Sequence, residues 1–456
     1  MINRREFLIA SGAAFPLVAG RRTTPALAAA ARLAVPTAPQ LAWQRDELAI
    51  FLHFGVNTFT DREWGDGTED PAIFAPTALD ARQWARAARA AGFRTMILTA
   101  KHHDGFCLWP TRTTDHSVAR SGWRGGNGDV VRDLVESCRA EGLKAGVYLS
   151  PWDRNAPVYG DSPRYNEMYR AQLTELLTNY GEIHEVWFDG ANGEGPNGRR
   201  QQYDWPGVWG LVRRLQPGAV IFSDAGPDVR WIGNENGSAA ETNWSAVDPA
   251  VVPYPGASGE AVNRMLQHGD PAGTAWRPGE TDVSIRPGWF YHPAEDPKVK
   301  SAEQLVALYF SSVGRNSKLL LNVPPGRDGL LHPTDVARLA AMRERLDSLF
   351  ADDLAAGHPL RWHGRERGAT GEIDLGRSSS IGVIDLAEDI QHGQAVARYR
   401  VEGSDGGPWR MLSSGTTIGY RKLDRMPPVS ARRLRLTIED AVAAPRPVRI
   451  RLFAGE

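Results

Sequence analysis

The polar side chains best suited to chemistry stand at the ends of short apolar runs. Glu185-Val186-Trp187-Phe188-Asp189-Gly190 is one such run, and it stops on a carboxylate beside two aromatic rings. Ile50-Phe51-Leu52-His53 ends on an imidazole, and residues 95–101 lead into His102-His103-Asp104-Gly105-Phe106. Glu63-Trp64 follows the first of these runs, Tyr148 and Trp152 flank the end of another, and Asp224, Arg230 and Glu235 follow Ala219-Val220-Ile221-Phe222-Ser223. A lone Asp at such a place commonly caps a helix or closes a turn. Grouped with three histidines and several indoles, Asp189 reads instead as a charge that meets a developing cation next to a flat apolar wall. That combination suits nucleophilic attack at the anomeric carbon of a sugar. Fifteen Trp against eleven Tyr lean the same way.

These residues need a scaffold that brings strand ends together. From about residue 48 short apolar runs alternate with segments of helical periodicity. Strands are expected at residues 50–56, 95–101, 144–150, 185–189, 219–223 and 318–323, and helices at 79–91, 130–140, 164–180, 206–215, 302–313 and 334–350. Gly92 and Gly142 mark helix ends. Residues 225–300 are rich in Gly and Pro, and further strands near Glu241-Thr242-Asn243-Trp244 and Val283-Ser284-Ile285 bring the count to eight. The pattern predicts an α/β fold, a (β/α)8 TIM-like barrel over residues 40–352, with its chemistry at the C-terminal ends of the strands. No Gly-x-Gly-x-x-Gly follows the first strand, which argues against an open dinucleotide-binding sheet. After residue 355 short alternating segments separated by turn residues predict a C-terminal antiparallel β-sandwich over residues 356–456, more a buttress than a second binding site.

Length and composition narrow the function further. A chain of 456 residues with 42% hydrophobic side chains suits a large barrel plus an appendage. Lys+Arg 53 against Asp+Glu 54 leaves a net charge of −1, so no basic field points to nucleic acid as a partner. Cys107 and Cys138 are too few for a disulfide framework. Asn3-Arg4-Arg5-Glu6-Phe7-Leu8, the apolar stretch 9–20 and Ala26-Leu27-Ala28 together form a twin-arginine signal pattern over residues 1–30. The expected mature chain starts near Ala29 and is exported to the periplasm or beyond. No later run is long enough for a membrane span.

Five stretches together resemble the α-L-fucosidases of glycoside hydrolase family 29: His53-Phe54-Gly55, Glu63-Trp64, Lys101-His102-His103-Asp104-Gly105-Phe106, Trp187-Phe188-Asp189-Gly190 and Leu319-Leu320-Leu321-Asn322. The resemblance implies a retaining mechanism with Asp189 as nucleophile. It implies that His53, His102, His103 and Trp187 contact the fucose, with Glu63 and Trp64 reaching the same pocket. Residues 226–235, from Gly226 to Glu235, resemble the subgroup that cleaves α-1,3/1,4-linked fucose from branched glycans. By that match Glu235 is the acid/base and Arg230 a pocket residue. Residues 146–152, which carry Tyr148 and Trp152, and 284–292, which carry Trp289, resemble the same subgroup. The broad-specificity subgroup, which acts on α-1,2/1,6 linkages and simple fucosides, usually has a second Tyr where Leu149 stands, and it is the alternative. Glu241 and Glu280 compete with Glu235 for the acid/base role.

The expected substrate is a fucosylated oligosaccharide or glycoconjugate, with no cofactor and no metal. Strand alternation would turn His102 and His103 to opposite sides, which counts against a shared ion. The pocket must supply polar groups for three hydroxyls and an apolar niche for the methyl group, for which Phe54, Trp187 and Trp289 are candidates. The His and Arg side chains nearby are expected to favour the Asp189 anion. A non-catalytic sugar-binding protein is one rival, but it has no use for two poised acids; a metal-dependent barrel hydrolase is the other, and activity insensitive to chelator would dispose of it.

Overall fold

The computed structural model describes residues 33–364 and 368–455. The expected leader at residues 1–30 lies outside them. Residues Leu33–Glu456 form one compact unit.

Eight strands make the barrel: β1 (Leu48–Leu52), β2 (Thr95–Lys101), β3 (Lys144–Leu149), β4 (Glu185–Trp187), β5 (Val220–Phe222), β6 (Arg230–Trp231), β7 (Gly279–Ser284) and β8 (Ser317–Asn322). Every neighbouring pair is parallel, in the order 5-4-3-2-1-8-7-6. Between β5 and β6 a single bridge, Phe222 to Val229, nearly closes the ring. Helices follow the other strands, at Ala81–Ala90, Val130–Glu141, Ser162–Thr178, Trp205–Leu215, Glu260–His268, Ala302–Ser311 and Pro333–Leu349. β5 and β6 are joined instead by a tight turn with a cis Gly226-Pro227 bond, so one helix of the expected barrel is absent among the described residues.

Local signals explain where the helices begin and end. Asp80 and Asp129 cap the helices after β1 and β2 through backbone N–H groups of Arg82 and Arg132, and Gly142 ends the second in a left-handed conformation. Strand alternation then sorts the side chains. Leu48, Ile50 and Leu52 face the helices in the outer core. Ala49, Phe51, Ile97, Tyr148, Trp187, Val220, Phe222, Val229 and Leu320 face inward and fill the barrel. The N-terminal end of the barrel is plugged by the helix Ala38–Arg45. Its Trp43 indole donates to Glu185 Oε2 at 2.9 Å, with the Lys318 ammonium 4.6 Å over the ring.

One expected strand is displaced. Residues 241–244 form no strand; the sixth strand is Arg230–Trp231. The Asn243 amide donates to the Arg315 carbonyl, just before β8, and its backbone N–H to Thr417 Oγ1, so this segment bridges the barrel and the C-terminal region through side chains and does not join the ring of strands.

That C-terminal region is antiparallel, as expected. Its six strands, Arg361–His363, Thr370–Ala387, Val396–Ser404, Arg410–Gly415, Lys422–Ala441 and Arg449–Phe453, belong to one continuous sheet. Register shifts interrupt the two longest, and Ile373 and Leu386, from the two halves of Thr370–Ala387, share a single apolar core with Ala431 and Leu436 of Lys422–Ala441. The sheet docks at the N-terminal end of the barrel. Buried Arg421 pairs with Glu47, just before β1, and with Asp385 of the sheet, each at 3.0 Å. Asn316, just before β8, accepts from the Tyr420 backbone at 2.7 Å. Cys107 and Cys138 are free and buried.

Candidate active site

The inward-facing positions continue past the strand ends and surround a cavity of about 340 Å3. Phe51 and His53 reach it from β1, Tyr148 from β3, Trp187 and Asp189 from β4, and Asp282 from β7. Glu63, Trp64, His102, His103, Glu235, Pro287, Gly288 and Trp289 complete the wall from loops. Ten of the twelve residues expected at the site line it together.

Trp187 forms part of the wall and is rigidly placed. Its ring stacks on Phe222 at 4.1 Å and 9°, and its indole N–H donates to Glu280 Oε2 at 3.2 Å. Two positions further along the same face stands Asp189. Its Oδ1 accepts from the Ala191 backbone at 2.6 Å and its Oδ2 from the Tyr148 hydroxyl at 3.3 Å. Gly190 follows because no side chain fits: a Cβ there would lie 2.6 Å from Asp224 Oδ2.

Each of two histidines has a defined tautomer. Asn322, at the end of β8, donates its amide to Ser284 Oγ at 2.9 Å and the Trp289 carbonyl at 2.8 Å, which turns Oδ1 toward His53. Oδ1 lies 2.9 Å from His53 Nδ1, so Nδ1 carries the proton and Nε2 is left as an acceptor. Ser150 donates to the Trp152 carbonyl at 2.7 Å and accepts from His103 Nδ1 at 2.8 Å, with the same result. His102 and His103 do not diverge as alternation would require. β2 ends at Lys101, a turn closed by Gly105 N–H to the His102 carbonyl begins, and both rings line the cavity 4.1 Å apart.

Burial holds all three imidazoles neutral: His53 is lowered to about 3, and His102 and His103 are lowered as well. They are therefore hydrogen-bonding groups and not the cationic partners expected for Asp189. Glu235 is pushed above the usual carboxylate range by burial and by the Asp189 charge, while a hydrogen bond from Trp289 pulls the other way. Glu63 braces two loops: it accepts from the backbone N–H groups of Trp289 and Phe290 and faces His292 Nε2 at 3.3 Å. Trp64, 59% exposed, stands at the rim edge-on to His103 and Trp152.

Two expected pocket residues lie elsewhere. Trp152 packs behind His103 and Trp64, with its indole spent on the Glu194 carbonyl. Arg230 faces away from the barrel interior because its neighbour Trp231 faces in. Its guanidinium donates to the carbonyls of Leu266 and Arg277 and to Asn243 Oδ1. Phe54 is also turned outward, against Phe74 and Trp84, and supplies no niche for a methyl group. Of the competing acids, Glu241 is ion-paired with Lys422 and Arg315 at the C-terminal sheet, and Glu280 is buried beneath Trp187.

Asp282 is the residue that motif reading missed. It shares the inward face of β7 with Glu280, accepts from the Trp231 indole at 2.8 Å, and is raised to about 8 by burial and the nearby Glu235 charge. Alternation along Gly279–Ser284 is the signal that could have found it. Asp224, raised to about 6 by burial, lines a second cavity of about 370 Å3 that shares Trp64, Asp189, Glu235 and Asp282 with the first.

Known proteins resemble this chain across the barrel and beyond. The α-L-fucosidase family model matches residues 32–348. α-L-Fucosidase 1 of Arabidopsis thaliana is 43% identical over 443 residues, covering 91% of this chain and 86% of that protein. A glycoside hydrolase 29 family member from a rumen bacterium is 43% identical with a TM-score of 0.87, covering 93% of this chain and 78% of the other. A family 29 fucosidase of Ruminococcus gnavus, solved with fucose bound, is 31% identical with a TM-score of 0.84, covering 95% and 97%. The chain belongs to glycoside hydrolase family 29 and is an α-L-fucosidase.

Proposed function

We propose that the enzyme is a retaining exo-α-L-fucosidase that removes terminal α-1,3/1,4-linked fucose from branched glycans. Asp189 attacks the anomeric carbon while Glu235 protonates the departing glycosidic oxygen. Water activated by Glu235 then hydrolyses the fucosyl-enzyme. The observation that carries the assignment is the unequal pair on one cavity: Glu235 has a raised proton affinity, and Asp189 is held by two hydrogen-bond donors. Neutral His53, His103 and His102 suit the sugar hydroxyls, and Trp187 and Trp289 offer an apolar surface for ring and methyl group. The fucose bound to the Ruminococcus gnavus relative supports the same occupant.

The linkage preference draws support from the second cavity, which adjoins the two carboxyl groups and has room for a branched leaving group. A simple aryl α-L-fucoside and a Lewis-type branched trisaccharide, compared by kcat/KM, test it; preference for the aryl substrate would favour the broad-specificity alternative. Asp189→Asn should abolish turnover, and azide should rescue Asp189→Gly with an inverted product. Glu235→Ala should be rescued with a retained one. Export by the twin-arginine route belongs to the same reading, and Arg4→Lys with Arg5→Lys should leave the protein in the cytoplasm.

A further inference from the structure

His53 and His103 each have a buried acceptor behind Nδ1, Asn322 in one case and Ser150 in the other. His102 has none within hydrogen-bond distance. Its ring is clamped by Tyr148, Phe290, His103 and His53, and its buried Nδ1 has no hydrogen-bond partner. That atom faces Asp104 Oδ2 at 3.8 Å. Asp104 is 2% exposed and firmly held: Oδ1 accepts from the Phe106 backbone at 2.7 Å and Oδ2 from the Asn57 amide at 3.2 Å. Gly105 permits this approach of the loop, since its φ of +84° is left-handed and a Cβ would lie 2.3 Å from Asp153 Oδ1.

We propose that Asp104 is a positioning residue for His102: its Oδ2 keeps the proton on Nδ1 and leaves Nε2 as a third acceptor for a sugar hydroxyl. This rests on the reading of the cavity as the fucose site. The alternative tautomer sets a lone pair against a carboxylate lone pair. A movement of roughly 0.6 Å brings Nδ1 and Oδ2 within hydrogen-bond range. Burial, together with the charges of Glu69 and Asp153, pushes Asp104 up to about 7, against the pull of the Phe106 N–H. Asp153 is itself paired with Lys101 at 3.0 Å. Above that pH the carboxylate accepts from Nδ1. Below it the carboxyl group donates to Nδ1, and Nε2 becomes the donor.

The test is 15N NMR of the full-length enzyme labelled at histidine, at pH about 8.5, with the His102 signal identified by its loss in His102→Gln. Protonated Nδ1 is expected; protonated Nε2 overturns the proposal, whatever any Asp104 variant does. In Asp104→Asn the amide donates toward Nδ1, and Asn57, whose Oδ1 has no partner, can rotate to accept from it. The tautomer should switch and KM for an aryl α-L-fucoside should rise about tenfold, the size of one hydrogen bond, with kcat changed by less than about threefold. An unchanged KM overturns the role in sugar binding. Failure of the fucose reading itself would show differently, as an unchanged KM also in His53→Gln and Trp187→Ala, whose side chains line the same cavity.

Discussion

Asn322→Ala should damage the enzyme in two separable ways. The side chain is fully buried and makes four contacts: from the His53 backbone N–H at 3.3 Å, with His53 Nδ1 at 2.9 Å, and to Ser284 Oγ and the Trp289 carbonyl. At about 0.5–1.5 kcal/mol net for each of the four hydrogen bonds, its loss should destabilise the fold by about 2–6 kcal/mol, and the upper part of that range is expected because the groups left behind are buried and unpaired. The second effect is local. Without Oδ1, nothing selects the His53 tautomer, and one substrate hydrogen bond weakens, which should raise KM for an aryl α-L-fucoside about tenfold. Thermal unfolding reads the first effect and steady-state kinetics the second. The two can be tied together in a His53→Gln background, where Asn322→Ala should cost stability again but raise KM no further. A variant with wild-type KM and an unmoved melting temperature would refute the reasoning outright.

Other outcomes follow from the same geometry. Trp289→Phe removes a hydrogen bond that stabilises the Glu235 carboxylate, so the proton should leave at higher pH and the alkaline limb of the kcat/KM profile should move upward; a downward shift would contradict the assignment. Arg230→Met should lower the melting temperature through three lost buried hydrogen bonds while KM stays within about twofold, and a large KM effect would return Arg230 to the pocket. Gly190→Ala should reduce activity sharply, because a Cβ 2.6 Å from Asp224 Oδ2 forces the segment next to Asp189 to move; kinetics at unchanged fold, checked by circular dichroism, decides it.

Most of the barrel was legible because its strands are uninterrupted apolar runs and its helices carry caps. The sixth strand was not, since Arg230–Trp231 is too short for any periodicity. The same shortness misplaced Arg230, whose direction is set by Trp231 packing inward. Strand-end reading succeeded for His53, Tyr148, Trp187 and Asp189, where the strand face extends into the loop. It also brought His102 and His103 to the cavity, but the expected divergence of their rings failed, because a turn takes over at once. The neutrality of the histidines could not be read from residue types, because it comes from burial that only the folded pocket imposes. Asp282 was hidden in plain alternation, without a motif to draw attention to it.

The grip of Arg421 on Glu47 has a consequence for how the molecule comes apart. A barrel cut off before residue 356 would keep Glu47 and Tyr309 in a pocket shaped for a guanidinium that has gone. Such a truncated chain should not persist alone, and heating the whole enzyme should melt the ring of strands and its appended sheet in a single step.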